Sequence, residues 1–420
     1  MLVLILIVLA FFNIFFSLTR CPTILNPLIF YTIGWVSPFM VAILMQSTYQ
    51  VNLSNEFLFF LFFITFLIQI LLIMPMVIGK KINTIVENQS ILALYHRKIS
   101  IWQRRYFLIL FFSIIALAMS FIDIQTIPIL DNLNYKSSRR LLRESFFYRF
   151  YTISIIVVPL IIFIATKYKK PLTKIQKTAI LIWFILSSMT GWVGNIVYPL
   201  IMSISTYSIA LKDKGKEKKP VFITFSLAIL FFLFVSFLRS IYNLDLNSEF
   251  STLLDERTWG RFFTYLAYPF YNMQEIYFSS EIRSYGINIF YFLSSIPLLG
   301  PELKEAYENW FNGFQTELGE NIYARGANTL TFIAPLFFDF GHFGLIFIFV
   351  LALLYGYLYR LVIHQHNFLI AHWKIALYSG FSMVIFMLFT GLHTRMFSFY
   401  VWPILAILVQ RFPSIKVHLK

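Results

Sequence analysis

Apolar runs separated by short polar stretches recur along the whole chain: Leu2 to Leu18, Ile24 to Leu44, Phe57 to Ile78, Tyr106 to Ile122, Phe147 to Thr166, Ala179 to Trp192, Gly194 to Leu211, Val221 to Leu238, Phe343 to Tyr359, Ile375 to Leu392 and Met396 to Val409. A helix needs about twenty apolar residues to cross the hydrocarbon core of a bilayer, so the pattern predicts about eleven spans. Within that core only a helix or a closed barrel satisfies its own backbone polar groups. The fold expected is therefore all-α, a polytopic integral membrane protein. The run from Ala179 to Trp192 is short, and with Gly191, Gly194 and Pro199 close by it fits a tilted, broken or re-entrant segment as well as a straight one.

The loops orient the spans. Lys80, Lys81, Arg97, Lys98, Arg104 and Arg105 follow the third run, Lys167, Lys169, Lys170, Lys174 and Lys177 the fifth, and Lys212, Lys214, Lys216, Lys218 and Lys219 the seventh. If every run crosses once, all three loops fall on one side, and the positive-inside bias makes that side cytoplasmic. Two segments then face outward. Asp123 to Phe146 carries Lys136, Arg139, Arg140 and Arg143 where few positive charges are expected. Ser240 to Gly326 far exceeds the roughly fifteen residues beyond which structureless loops are uncommon. Its amphipathic stretches, such as Arg261 to Phe278 and Gly286 to Leu299, predict short helices packed on the membrane body. Three divisions follow: an N-terminal transmembrane bundle over 1–239, an extracytoplasmic region over 240–327 and a C-terminal transmembrane segment over 328–420.

Composition agrees: 59% of the 420 residues are hydrophobic and only 13% charged, far from the quarter or so of charged residues in a soluble domain. The net charge of +15 would point to nucleic acid in a soluble protein, but here it is mostly the loop asymmetry just described. Cys21 is the only cysteine, which excludes an intrachain disulfide and a cysteine-based metal cluster. The first run lacks a preceding basic residue and a small-residue cleavage site, so a retained helix is expected.

Candidate chemistry collects at the outer ends of the spans. If Lys136 to Phe146 is helical, Arg139 and Arg143 share a face with Arg140 beside them, and guanidinium forks suit paired phosphate oxygens. The alternative is pairing with lipid headgroups or with Glu144 and Asp131. Arg239, Arg325 and Asn328 flank the long outer segment, Asp339 and His342 stand just before the ninth run, and His393 and Arg395 occupy the turn between the last two. Ionisable groups at membrane depth raise the odds of function. Asp339, His342 and His393 are the candidate catalytic residues; Arg139, Arg140, Arg143, Arg239, Arg325, Asn328 and Arg395 are the candidate substrate contacts. Against these stands interfacial snorkelling of long side chains. His364, His366 and His372 match no familiar zinc spacing and fit a solvated loop better. Trp259 and Trp310 suit sugar stacking or ordinary packing equally. No metal or cofactor is expected.

One stretch carries a family resemblance. Asn328-Thr329-Leu330-Thr331 is followed by Pro335, by Phe337-Phe338-Asp339-Phe340-Gly341-His342-Phe343-Gly344, and by a spanning run with a late Gly356. This pattern resembles the Wzy-type oligosaccharide repeat-unit polymerases, as does Ser294-Ser295-Ile296-Pro297 upstream. The resemblance implies a GT-C-like membrane glycosyltransferase of the bacterial cytoplasmic membrane. Such an enzyme moves a growing glycan from undecaprenyl pyrophosphate onto another lipid-linked repeat unit, with outer-face arginines (Arg139, Arg140, Arg143, Arg239 and Arg325) holding pyrophosphate. It implies a capsule, O-antigen or exopolysaccharide product, and flippase and chain-length regulator proteins as partners. Two alternatives remain open: an O-antigen ligase, which shares the donor, and a lipid-linked oligosaccharide flippase, which should carry polar residues within its spans.

Overall fold

The computed structural model describes residues 1–46, 52–77, 89–131, 135–192, 194–212, 215–220, 222–223, 226, 230, 260–278, 284–295, 300–314, 331–364, 371–388 and 396–411. Every regular element among them is helical. In chain order these are α1 (Leu2–Arg20), α2 (Pro27–Leu44), α3 (Asn55–Val77), α4 (Gln89–Asp123), α5 (Tyr135–Glu144), α6 (Phe146–Lys167), α7 (Lys174–Met189) and α8 (Gly194–Leu211). Then follow α9 (Gly260–Phe278), α10 (Ile287–Phe290) with its 3-10 extension Tyr291–Ser295, α11 (Gly300–Phe314), α12 (Ile333–Phe340), α13 (Gly344–Ile363), α14 (His372–Phe386) and α15 (Phe397–Arg411).

Seven segments among the described residues are long and apolar enough to cross a membrane: α1, α2, α3, Lys98–Asp123 of α4, α6, α8 and the joined stretch Ile333–Ile363. The chain is a helical membrane protein. Four of the predicted runs are not in that set. Val221 to Leu238 lies mostly outside the described residues, and the other three form α7, α14 and α15, of 16, 15 and 15 residues. A helix of that length rises roughly 23 Å, against a hydrocarbon core of about 30 Å. The break expected near Gly191 occurs there: α7 stops at Met189 and Gly191 takes φ +67° before α8 begins. Pro199 sits inside α8 without ending it.

The helices group into two compact units that interleave along the chain. The first comprises Met1–Lys80, Ser236–Arg360 and Phe381–Phe397. Here α1 is tied to α2 by the Asn13 amide donating to Thr32 Oγ1 at 2.9 Å. From α2, Tyr31 donates to the Thr65 carbonyl at 2.8 Å and Trp35 Nε1 to Thr65 Oγ1 at 2.9 Å. The amphipathic α9 docks by aromatic packing, Phe270 lying 4.9 Å from Trp35 ring to ring, and by Tyr271 donating to the Ala42 carbonyl at 2.7 Å. Gly356 of α13 lets that helix approach α3, where an added Cβ would stand 2.7 Å from the Leu72 carbonyl oxygen, the close approach that small residues permit between membrane helices.

The second unit comprises Lys81–Val235, Leu361–Gly380 and Ser398–Lys420. Buried hydroxyls join its helices: Ser154 of α6 donates to Ser113 of α4 at 2.5 Å, Trp183 Nε1 of α7 donates to the same oxygen at 2.9 Å, and Tyr151 donates to Ser187 at 2.9 Å. Trp102 Nε1 and an Arg105 guanidinium nitrogen of α4 donate to the Gln410 and Val409 carbonyls at 3.2 and 2.8 Å. They satisfy carbonyls that the end of α15 leaves without helical partners.

The tightest joint in the first unit is at Gly34, where a Cβ would lie 2.3 Å from the Ile385 carbonyl oxygen and 2.4 Å from that of Phe386. Backbone cannot yield as a side chain can, so Gly34→Val is expected to cost about 1–3 kcal/mol. The thermal midpoint of the purified protein in detergent should fall; an unchanged midpoint would mean that the two backbones do not touch.

Candidate functional site

The Phe-Phe-Asp-Phe-Gly-x-x-Gly stretch makes a tight corner between α12 and α13. Gly341 takes φ +58° and ψ −138°, a conformation that side chains disfavour. Three residues on, Gly344 abuts α12 so closely that a Cβ would stand 2.4 Å from the Leu336 carbonyl oxygen. Asp339 is 2% exposed. Its Oδ1 accepts from Ser284 Oγ at 2.5 Å, from the Asn288 backbone N–H at 3.1 Å and from the Asn288 amide at 3.3 Å, while Oδ2 accepts from the Ile289 N–H at 2.7 Å. The carboxylate thus caps the first turn of α10 and binds the segment around Ser284 to α12. The lone pairs that a general base would use are engaged in that anchor.

His342 reaches the surface. Its ring meets Phe337 edge-on at 5.1 Å, Tyr277 at 6.1 Å and Phe60 at 6.2 Å. The Tyr277 hydroxyl in turn donates to Glu56 Oε1 at 3.2 Å. Burial and the neighbouring Glu56 carboxylate raise the Tyr277 phenol above its ordinary pKa. An imidazole, a phenol and a carboxylate from three distant parts of the chain therefore gather in the first unit. Glu56 and Tyr277 belong to no motif in the sequence. One signal was available: Glu56 is the only acidic residue before Glu87 and stands at the head of a spanning run.

The second unit holds the arginines. On α5, Arg139 and Arg143 share the predicted face, with their guanidinium carbons 4.5 and 4.2 Å from the centre of the Trp192 ring. Each such contact is worth about 0.5–2 kcal/mol. Arg140 pairs instead with exposed Glu144 at 3.6 Å, a contact of little energetic weight. Asp131 accepts from Ser138, which ties down the start of α5. Trp192 occupies the turn after Gly191. It packs on Tyr148 at 5.8 Å, and the Tyr148 hydroxyl accepts from the Asn195 amide, which also donates to Thr190 Oγ1, at 2.9 and 2.8 Å. In the sequence Trp192 is only the end of an apolar run.

Of the other predicted site residues, Arg239, Arg325, Asn328, His393 and Arg395 lie outside the described residues, as do Trp259 and His366. Asp339 and His342 belong to the first unit, and Arg139, Arg140 and Arg143 to the second. His372 is not in a solvated loop: it opens α14 fully buried, with Nδ1 3.1 Å from the Tyr106 hydroxyl. Trp310 packs between Tyr307 and Phe338 at 5.7 and 5.1 Å. Among the described residues no three His, Cys, Asp or Glu side chains gather as a metal site would require.

No family model matches the chain, and neither a curated protein nor a solved structure matches it.

The anchor is testable. Asp339→Ala leaves the Ser284, Asn288 and Ile289 donors without their acceptor, at about 1–3 kcal/mol for each buried group so stranded. It should lower the thermal midpoint and open residues 284–295 to limited proteolysis, whereas His342→Ala, at an exposed position, should do neither. A wild-type midpoint and digestion pattern for Asp339→Ala would remove the anchoring role.

Proposed function

We propose that this protein polymerises polyprenyl-pyrophosphate-linked oligosaccharide repeat units at the outer face of the bacterial cytoplasmic membrane. The observation that carries the proposal is the pair of guanidinium groups held over Trp192, at the end of α6 remote from Lys167, Lys169 and Lys170. A fixed pair of forked cations at the membrane boundary suits a diphosphate, and positive charge there stabilises the leaving group as the glycosidic bond to phosphate breaks. The new bond forms between an acceptor hydroxyl oxygen and the anomeric carbon, with inversion for direct attack, and the hydroxyl proton passes to a base. The donor brings its own activated leaving group, so no nucleotide sugar enters. A flippase would supply the lipid-linked units, and a chain-length regulator would act on the product.

The test is incubation of the purified protein with synthetic undecaprenyl-pyrophosphate repeat units. A ladder of products is expected. Replacing both Arg139 and Arg143 by Gln should reduce it about a hundredfold or more, and Lys at either position should restore only part, because an ammonium lacks the fork. Transbilayer movement of an unaltered donor would overturn the reading in favour of a flippase.

A further inference from the structure

We propose that the lysine-rich end of the second unit binds the phosphate headgroup of an anionic lipid, gripped between Arg104 of α4 and Lys170 in the turn joining α6 to α7. The turn is folded tightly. Lys169 takes φ +50°, a left-handed position usually given to glycine, so that its own N–H reaches the Thr166 carbonyl at 3.4 Å and the Lys170 N–H reaches that of Ala165 at 3.0 Å. α7 then starts in a capping box, with the Thr173 N–H donating to Gln176 Oε1 at 3.1 Å and the Gln176 N–H to Thr173 Oγ1 at 3.2 Å. Two contacts pin this turn to α4: Lys170 Nζ donates to Ser100 Oγ, and the Gln103 amide donates to Gln176 Oε1 at 3.3 Å.

The result holds two cations side by side. Arg104 stands one helical turn beyond Ser100, the residue that receives the Lys170 ammonium, so both cations sit on the same face of α4; burial and the Arg104 charge lower the Lys170 ammonium from its ordinary pKa. Residues 98–105 and 167–177 contribute Lys98, Arg104, Arg105, Lys167, Lys169, Lys170, Lys174 and Lys177 without one Asp or Glu. Like charges fixed this close repel, and an anion between them turns repulsion into two charge-assisted hydrogen bonds. The position selects a lipid over a soluble phosphate. The basic residues sit where α6 ends and α7 begins, and both α4 and α7 carry exposed apolar side chains beyond them: Leu108 and Phe111 on one, Leu181 and Ile182 on the other. Acyl chains lie against such faces while the headgroup stays at the level of the cations, an arrangement favoured at the ends of membrane helices.

Native mass spectrometry of the full chain with added phosphatidylglycerol tests the site. Wild type should retain a phosphatidylglycerol in preference to phosphatidylcholine. The double variant Arg104→Gln/Lys170→Gln should weaken that retention at least tenfold. Lys218→Gln/Lys219→Gln, which removes the same charge from exposed positions in the helical stretch 215–220, should leave it unchanged, and inorganic phosphate should not displace the lipid. Equal losses in both double variants would reduce the effect to overall charge and overturn the proposal. So would equal retention of phosphatidylcholine or full displacement by phosphate. If the double variant fails to fold, Arg104→Gln alone, at an exposed position, decides between the same outcomes.

Discussion

Within a bilayer, polar groups have no water to turn to, so a hydroxyl or indole N–H buried between helices must find its partner on a neighbour. That constraint organises both units. Each such bond adds well under about 2 kcal/mol, but its directionality fixes rotation and register. In the second unit, Ser113 receives hydrogen bonds from Ser154 and Trp183, which sets α6 and α7 against α4. Tyr151 and Tyr148 continue the series to Ser187 and Asn195. The indole of Trp192 packs on the last of these tyrosines. The arginine pair is thus positioned by groups buried in the helix bundle.

The first unit uses polar side chains differently. Thr65 takes the Trp35 N–H on its hydroxyl and the Tyr31 hydroxyl on its carbonyl, fastening α2 to α3. At the other extreme, Asp339 gathers four donors from a segment some fifty residues earlier and holds it against α12. A carboxylate this well supplied is expensive to remove. His342, Tyr277 and Glu56 of the same unit, by contrast, keep access to solvent.

Helical periodicity and apolar run length made the architecture legible. α5 was recognisable because Arg139 and Arg143 fall one turn apart in a polar stretch, and the break between α7 and α8 because glycines interrupt an apolar run. Within the Phe-Phe-Asp-Phe-Gly-x-x-Gly stretch, Gly344 permits the close backbone approach to α12. Other features were hidden for physical reasons. Trp192 looks like any interfacial aromatic until the fold sets two guanidinium groups on it. Glu56 and Tyr277 are more than two hundred positions apart, so no local pattern links them. An apolar run does not reveal where its helix stops: α14 ends at Phe386, before the run from Ile375 to Leu392 is exhausted.

The π-helical turn Thr32–Val36 in the middle of α2 has a consequence of its own. There the Ser37 N–H bonds back five residues to the Thr32 carbonyl, so the helix carries one surplus residue at that point. One residue amounts to about 100° of helical rotation. The insertion offsets the two halves of α2 by that angle, and it allows Asn26 and Thr32 to address α1 while Trp35 and Phe39 turn toward α9. Ancestral loss of that single residue would have left a smoother helix with one of its two interfaces facing the wrong way.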